Sequence, residues 1–140
     1  MNLFKSIYHH KLFPRFFYKK PDGGNDSGVT GYFLIEWKPL LSIGLLHFKK
    51  GSREAFHSHA FNAVSFWIKG KVTEIKHPNN TSLNFSQGFK PKFTPRNNFH
   101  KVIAHEDTYC LTFRGPWLDY WYEFKNNKLI ILTHGRKVIN

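Results

Sequence analysis

The stretch "GSREAFHSHAFNAVSFWIKG", residues 51–70, carries His57 and His59 one residue apart between two glycines. Alternate residues of an extended strand point to the same face of a sheet. The two histidines are therefore predicted to share a face, and two imidazoles on one face can bind the same metal ion. The residues that follow on that face are Phe61, Ala63, Ser65 and Trp67.

A third metal ligand has to come from another part of the chain. The sequence "TPRNNFHKV" places His100 at the start of a predicted strand, directly after a Pro-Arg-Asn-Asn turn. Three histidines with open coordination positions are typical of a catalytic or substrate-binding metal site, whereas structural zinc sites usually fill every position. The sequence therefore predicts a site formed by His57, His59 and His100, although an H-x-H pair also arises by chance in a chain with 9 histidines.

Beyond residue 30 the sequence predicts an all-β fold. Short runs rich in Phe, Tyr, Trp, Val, Ile and Thr alternate with turn-forming sequences. About ten short strands at this spacing favour an antiparallel sandwich or barrel over a fold of alternating strands and helices. The predicted strands are residues 32–38, 40–48, 61–68, 71–76, 82–85, 90–94, 100–105, 108–115, 120–124 and 128–134.

The basic N-terminal segment, residues 1–24, is predicted to be distinct from the body of the protein, residues 25–140. The sequence "PDGGNDSG" at residues 21–28 disfavours both helix and strand. Before it, apolar residues from Leu3 to Phe13 recur at roughly helical spacing among lysines and arginines. We therefore expect a short helix that packs on the barrel; a helix lying on a membrane surface or on RNA is the alternative.

The charge and the cysteine content restrict the partners and the compartment. The chain has 21 Lys and Arg against 9 Asp and Glu, a formal net charge of +12, which attracts anions such as nucleotides, phosphorylated metabolites and nucleic acid. No recognised nucleic-acid motif accompanies this charge. The single cysteine, Cys110, excludes an internal disulfide and is predicted to be a small buried hydrophobe. We expect a cytoplasmic protein without a membrane span.

The two histidine segments resemble the motifs of the cupin superfamily, whose fold is a small antiparallel jelly-roll β-barrel. The first cupin motif reads G-x5-H-x-H-x3-4-E-x6-G, and the second reads G-x5-P-x-G-x2-H-x3-N. The first is matched at Gly51, His57, His59 and Gly70, with Ala63 at the position of the glutamate. The second is matched at Pro95 and His100, with Asn97 for the glycine, Gly88 one residue out of register and Ala104 near the place of the final asparagine.

A narrower resemblance covers residues 32–75 and 111–124. These stretches are similar to a group of small cupin-like proteins found in bacteria and bacteriophages. The group shows an H-x-H-x-W motif followed by a third histidine and by L-T-G-P-x-x-x-x-W-G-F. Here Phe61 stands where the tryptophan is usual, and Arg114, Gly115 and Pro116 precede Trp121. The resemblance implies the fold and the site without a substrate, and a phage-encoded protein would act in the host cytoplasm.

The resemblance implies that His57, His59 and His100 bind a divalent transition metal, Fe, Mn, Ni or Zn. The usual carboxylate ligand is missing, because Ala63 cannot coordinate. Neutral imidazoles leave the ion with its full charge, so the site should favour an anionic ligand. The candidate residues for binding that ligand are Ser65, Trp67, Arg96 and Arg114.

Two functions follow as hypotheses. In the first, the protein is a metal-binding cupin that acts on or binds a small anionic molecule; as an enzyme it would be a metal-dependent dioxygenase or hydrolase. In the second, it is a non-catalytic or metal-free binder of nucleotides or other phosphorylated small molecules, such as a phage accessory or anti-defence protein. Homodimer formation is a further expectation.

Overall fold

The computed structural model describes residues 13–52, 55–77, 79, 81–86, 90–125, 127–134 and 136–139. These residues form twelve β-strands in antiparallel pairs, and no helix is present among them. The strands are β1 (Arg15–Pro21), β2 (Val29–Trp37), β3 (Leu41–Phe48), β4 (Ala63–Lys69), β5 (Lys71–Lys76), β6 (Thr81–Ser86), β7 (Pro91–Thr94), β8 (His100–Ala104), β9 (Thr108–Arg114), β10 (Tyr120–Lys125), β11 (Lys128–Thr133) and β12 (Lys137–Val138).

The strands form three sheets. The largest has the order β1-β2-β3-β9-β4-β7, and the smaller two have the orders β6-β5-β8 and β10-β11-β12. Pairing of β3 and β4 with the distant β9 is consistent with a cupin jelly roll. The predicted closed barrel is wrong for the described strands, because β1 and β7 are the edges of the large sheet. His57 lies between β8 and β10 and forms isolated antiparallel bridges with His100 of β8 and Glu123 of β10. The two smaller sheets are therefore joined there by bridges and not by a continuous strand pair.

All ten strands predicted from the sequence are present, as β2 to β11. The predicted N-terminal helix is wrong over its described part, because residues 15–21 form β1, which pairs with β2; residues 1–12 lie outside the described residues. Alternation explains the difference: Tyr18 and Lys20 lie on the same face of β1, and both side chains contact the buried carboxylate of Glu36. The division of the chain after residue 24 stays a prediction.

The hydrophobic core lies between the sheets. Cys110 is 1% exposed, which confirms its assignment as a small buried hydrophobe. Burial raises the pKa of the Cys110 thiol to about 12, so the group stays protonated at neutral pH. The main cluster consists of Val29, Leu46, Phe48, Trp67, Val72, Val102, Ala104 and Cys110.

No helix in the described part of the chain has the length and apolar character needed to cross a membrane.

Candidate metal centre

The backbone fixes the histidine segment from both sides. On one side His57 and His100 exchange two hydrogen bonds, each N–H donating to the other residue's carbonyl oxygen at 2.7 and 3.0 Å. On the other side the Ser58 N–H donates to the Tyr122 carbonyl at 2.8 Å, and the Ser58 hydroxyl accepts from the Tyr122 N–H at 2.9 Å. The segment therefore links β8 to β10 and presents the side chains of His57 and His59 to the interior.

The three predicted ligands lie together. One ligand nitrogen from each of His57, His59 and His100 lies within 4.8 Å of the other two. Two nitrogens bound to one tetrahedral ion at about 2.1 Å each stand about 3.4 Å apart, so the widest pair has to close by at most about 1.4 Å. Rotation of the imidazole rings supplies a movement of this size. The cluster can therefore hold a metal ion.

Hydrogen bonds orient two of the imidazoles for this role. The Nδ1–H of His57 donates to the Ala55 carbonyl at 2.8 Å. The Nδ1–H of His100 donates to the Glu74 carboxylate at 2.5 Å. Both acceptors lack a proton to donate, so both histidines are protonated at Nδ1, and Nε2 is the ring nitrogen that would coordinate a metal. The Nε2 of His100 is buried and has no hydrogen-bond partner among the described residues, as expected of an atom that coordinates a metal ion.

Glu74 is the functional residue that the sequence analysis missed. It lies on β5, is 3% exposed, and also has Lys92 Nζ at 3.5 Å from its other carboxylate oxygen. Burial by itself would raise the pKa of Glu74, but the hydrogen bond from His100 and the charge of nearby Lys92 outweigh it and lower the pKa. Glu74 is therefore a carboxylate that orients a histidine from behind. The signal in the sequence was its alternation with Val72, an apolar residue on the same face of β5.

The histidines open into an interior cavity of about 80 Å³, several times the roughly 10–15 Å³ that one water molecule needs. The alternate residues predicted to share a face with His57 and His59 all line it. Of the candidate ligand-binding residues, Ser65, Trp67 and Arg114 line this cavity, whereas Arg96 is exposed and lies outside it. The space suits a ligand group of a few atoms.

Comparison with protein-family models and with curated protein sequences finds no match. Solved structures do match. An RmlC-like cupin from Shewanella frigidimarina superposes with a TM-score of 0.55 at 19% identity over 69% of this chain and 81% of that one. KdgF from a Halomonas species superposes with a TM-score of 0.56 at 18% identity, over 75% of this chain and 97% of that one. The polyketide cyclase RemF from Streptomyces resistomycificus superposes with a TM-score of 0.57 at 13% identity, over 69% of this chain and 72% of that one.

The fold is that of the cupins. At these identities the comparison establishes the fold alone, so the site has to be understood from its own residues. In the cupin motif, Ala63 occupies the position of the glutamate, and its neighbour across the β4–β9 pair is Arg114. A buried cation therefore lies next to the position at which a cupin would place its acidic ligand.

Arg114 is held in place by a carboxylate and by aromatic rings. Its guanidinium donates two hydrogen bonds to Asp22, at 3.1 and 2.8 Å, and its Cζ lies 4.6 Å from the centroid of the Phe61 ring. Burial alone would lower the pKa of Arg114, but the charge and hydrogen bonds of Asp22 raise it, so the group is a permanent cation. The interior cavity is thus bordered by a fixed ion pair, Arg114 with Asp22, and both residues line it.

His59 also borders two outer cavities. The first, the basic cavity, has a volume of about 530 Å³ and contacts Asp22 and Phe61 as well. The second, the aromatic groove, has a volume of about 560 Å³ and includes Arg96 and Trp121. His59 is half-buried, while His57 and His100 are buried, so His59 is the most exposed of the three histidines.

Proposed function

We propose that this cupin binds a divalent metal ion through His57, His59 and His100 and uses it to bind a small anionic ligand. The observation that supports the metal most strongly is the state of His100. Glu74 accepts the hydrogen bond from Nδ1, while the buried Nε2 has no partner in the described part of the chain. A buried polar atom without a partner costs about 1–3 kcal/mol, and a bound metal would remove that cost.

The charge distribution favours an anionic ligand. The candidate cluster comprises imidazoles alone, which leave a divalent ion with its full charge. Arg114 lines the same cavity paired with Asp22, and Lys92 lines it paired with Glu74, so the uncompensated charge that a ligand would meet is that of the metal. A bound metal would polarise a ligand oxygen or bind dioxygen, so the same residues would serve a binding protein, a dioxygenase or a hydrolase.

Metal analysis tests this proposal. We expect protein purified without chelators to contain close to one equivalent of a transition metal, or to bind one equivalent of Zn²⁺ or Co²⁺ on titration calorimetry. His57→Ala and His100→Ala should weaken binding by at least about a hundredfold, because each removes a ligand. His105→Ala is the matched control, since His105 is exposed and contacts Thr73 instead. Absence of metal after purification, together with no binding on titration, would contradict the proposal.

The second candidate function is metal-independent binding of a nucleotide or another phosphorylated molecule. The basic cavity supports it, because Trp117 and Trp121 line that cavity together with several cations. In this case binding to a panel of nucleotides should weaken with added salt and persist in His57→Ala. Loss of binding in that variant would favour the metal-dependent function.

A further inference from the structure

The basic cavity lies beside the metal centre, and apart from residues 58–61 of the first cupin motif its lining comes from other parts of the chain. It shares His59, Asp22 and Phe61 with the interior cavity, so the two spaces adjoin at these side chains. Its walls come from β1, from the loop that follows β1, and from the segment between β11 and β12. The cations that line it are Arg15, Lys20, Lys38, Arg136 and Lys137.

Cations outnumber acids among the described residues that line the cavity, because Asp22 is the one acid beside the five cations. Lys20 Nζ donates to Glu36 at 2.6 Å, and Arg136 donates to Glu123 at 2.6 Å. The acid that lines the cavity itself, Asp22, is bound bidentately by Arg114. Each of these three carboxylates is thus matched by a different cation. Arg15, Lys38 and Lys137 also line the cavity, and Lys38 Nζ lies 4.6 Å from the centroid of the Trp117 ring.

Two of the cations are held in position before any ligand arrives. Glu36 is 4% exposed and fixes Lys20, and Glu123 is 6% exposed and fixes Arg136. Gly24 supports the second arrangement, because an added Cβ there would lie 2.9 Å from Arg136 Nε. Preorganised cations lose little side-chain entropy when they bind an anion. The cavity therefore has the features of an anion-binding site built into the fold.

The size of the two spaces indicates how a ligand would be divided between them. The interior cavity, about 80 Å³, holds only a group of a few atoms, whereas the basic cavity, about 530 Å³, holds a whole small molecule. His59 lies at the boundary, so a ligand whose first anionic group binds the metal would extend into the basic cavity.

We propose that the ligand is a small molecule with at least two anionic groups, phosphate or carboxylate. The first group would bind at the metal beside Arg114, and the second would bind in the basic cavity among Lys20, Lys38 and Arg136. This inference rests on the proposed metal-dependent function for the first group. The second group depends on the basic cavity alone.

The probes that test it are pyrophosphate and orthophosphate. We would measure their affinities for the metal-loaded protein by titration calorimetry, with the fluorescence of Trp117 and Trp121, which line the cavity, as a second signal. Pyrophosphate should bind at least about tenfold more tightly than orthophosphate, because only pyrophosphate can place a second anionic group among the cations. The double variant Lys38→Gln with Lys137→Gln should lose most of this preference and keep the metal affinity of the parent protein.

The matched control is Lys69→Gln with Lys71→Gln. These exposed lysines flank Gly70 outside the cavity and change the net charge by the same amount. A control that retains the preference for pyrophosphate supports the inference; equal affinity for the two probes, or an equal loss in both double variants, overturns it.

Metal content separates this inference from the proposed function. If the protein binds no metal, the proposed function fails, and pyrophosphate binding that is lost in the cavity variant would still support the basic cavity. If the protein binds metal but shows no preference for pyrophosphate, the inference fails while the proposed function stands.

Discussion

Replacing Glu74 with glutamine tests whether this carboxylate prepares the metal centre. Its oxygen accepts a hydrogen bond from His100 Nδ1 at 2.5 Å, and Glu74 is 3% exposed. A hydrogen bond to a charged acceptor contributes about 1.5–3 kcal/mol and one to a neutral acceptor about 0.5–1.5 kcal/mol. The substitution therefore weakens the hydrogen bond that orients the His100 ring by about 1–1.5 kcal/mol, which corresponds to about a 5- to 13-fold loss of metal affinity.

The assay is competition for Zn²⁺ against a chelator of known affinity, with a urea unfolding curve recorded for each variant. Glu36→Gln is the matched control, since Glu36 is also a buried glutamate bound by neighbouring side chains, Tyr18 and Lys20, and it does not line the histidine cavity. We expect Glu36→Gln to lower stability without changing metal affinity. An unchanged affinity in Glu74→Gln, or an equal loss in Glu36→Gln, would refute the role of Glu74.

Three further predictions concern stability and reactivity. Burial would raise the pKa of Glu36, but the charge of Lys20 outweighs burial and lowers the pKa from 4.5. The ionised Glu36 therefore contributes its full stabilisation above about pH 4.5, and this stabilisation is lost as the pH falls through the lowered pKa of the folded protein. The difference in urea midpoint between the parent protein and Glu36→Gln should accordingly shrink in acid. Gly70→Ala should lower the free energy of unfolding, measured with urea, by about 2–4 kcal/mol, because Gly70 has φ +103° and an added Cβ would lie 2.7 Å from Thr108 Cα. A loss below about 0.5 kcal/mol would contradict this reasoning. Cys110 in the native protein should react with a disulfide reagent near pH 8 at least about a hundredfold more slowly than in urea, since its pKa of about 12 leaves little thiolate; equal rates would show that the thiol is accessible.

The strands and the histidine cluster could be predicted because both depend on local regularities. Alternation from His57 to Trp67 places these side chains on one face even though regular strand begins only at Ala63, since the segment before it is extended and bridged at His57. Turn-forming sequences marked the ends of the strands for the same local reason. The position of His100 beside His57 follows from the spacing of the cupin motifs and not from local pattern.

The acidic residues could not be predicted in the same way. Alternation along β2 from Phe33 would bury Ile35, but the register shifts between Phe33 and Ile35, and Glu36 faces the interior instead. A bulge of this kind depends on the pairing strand and leaves no clear trace in a single sequence. Glu74 has regular alternation, yet the sequence does not tell which face of β5 is buried. The helical spacing before residue 14 was likewise misleading for residues 15–21, because the free edge of β2 offers them backbone pairing.

The position of the carboxylates explains why Ala63 need not abolish metal binding. An acidic ligand in a cupin both contributes a donor atom and cancels charge. In this protein one carboxylate, Glu74, acts behind His100, and another, Asp22, is bound by Arg114. Both are therefore engaged by cationic or proton-donating partners, and the charge of a bound metal would be left for the ligand to neutralise. One anionic group would neutralise only part of the charge of a divalent metal, and the adjoining cations of the basic cavity favour a second negative group on the same molecule.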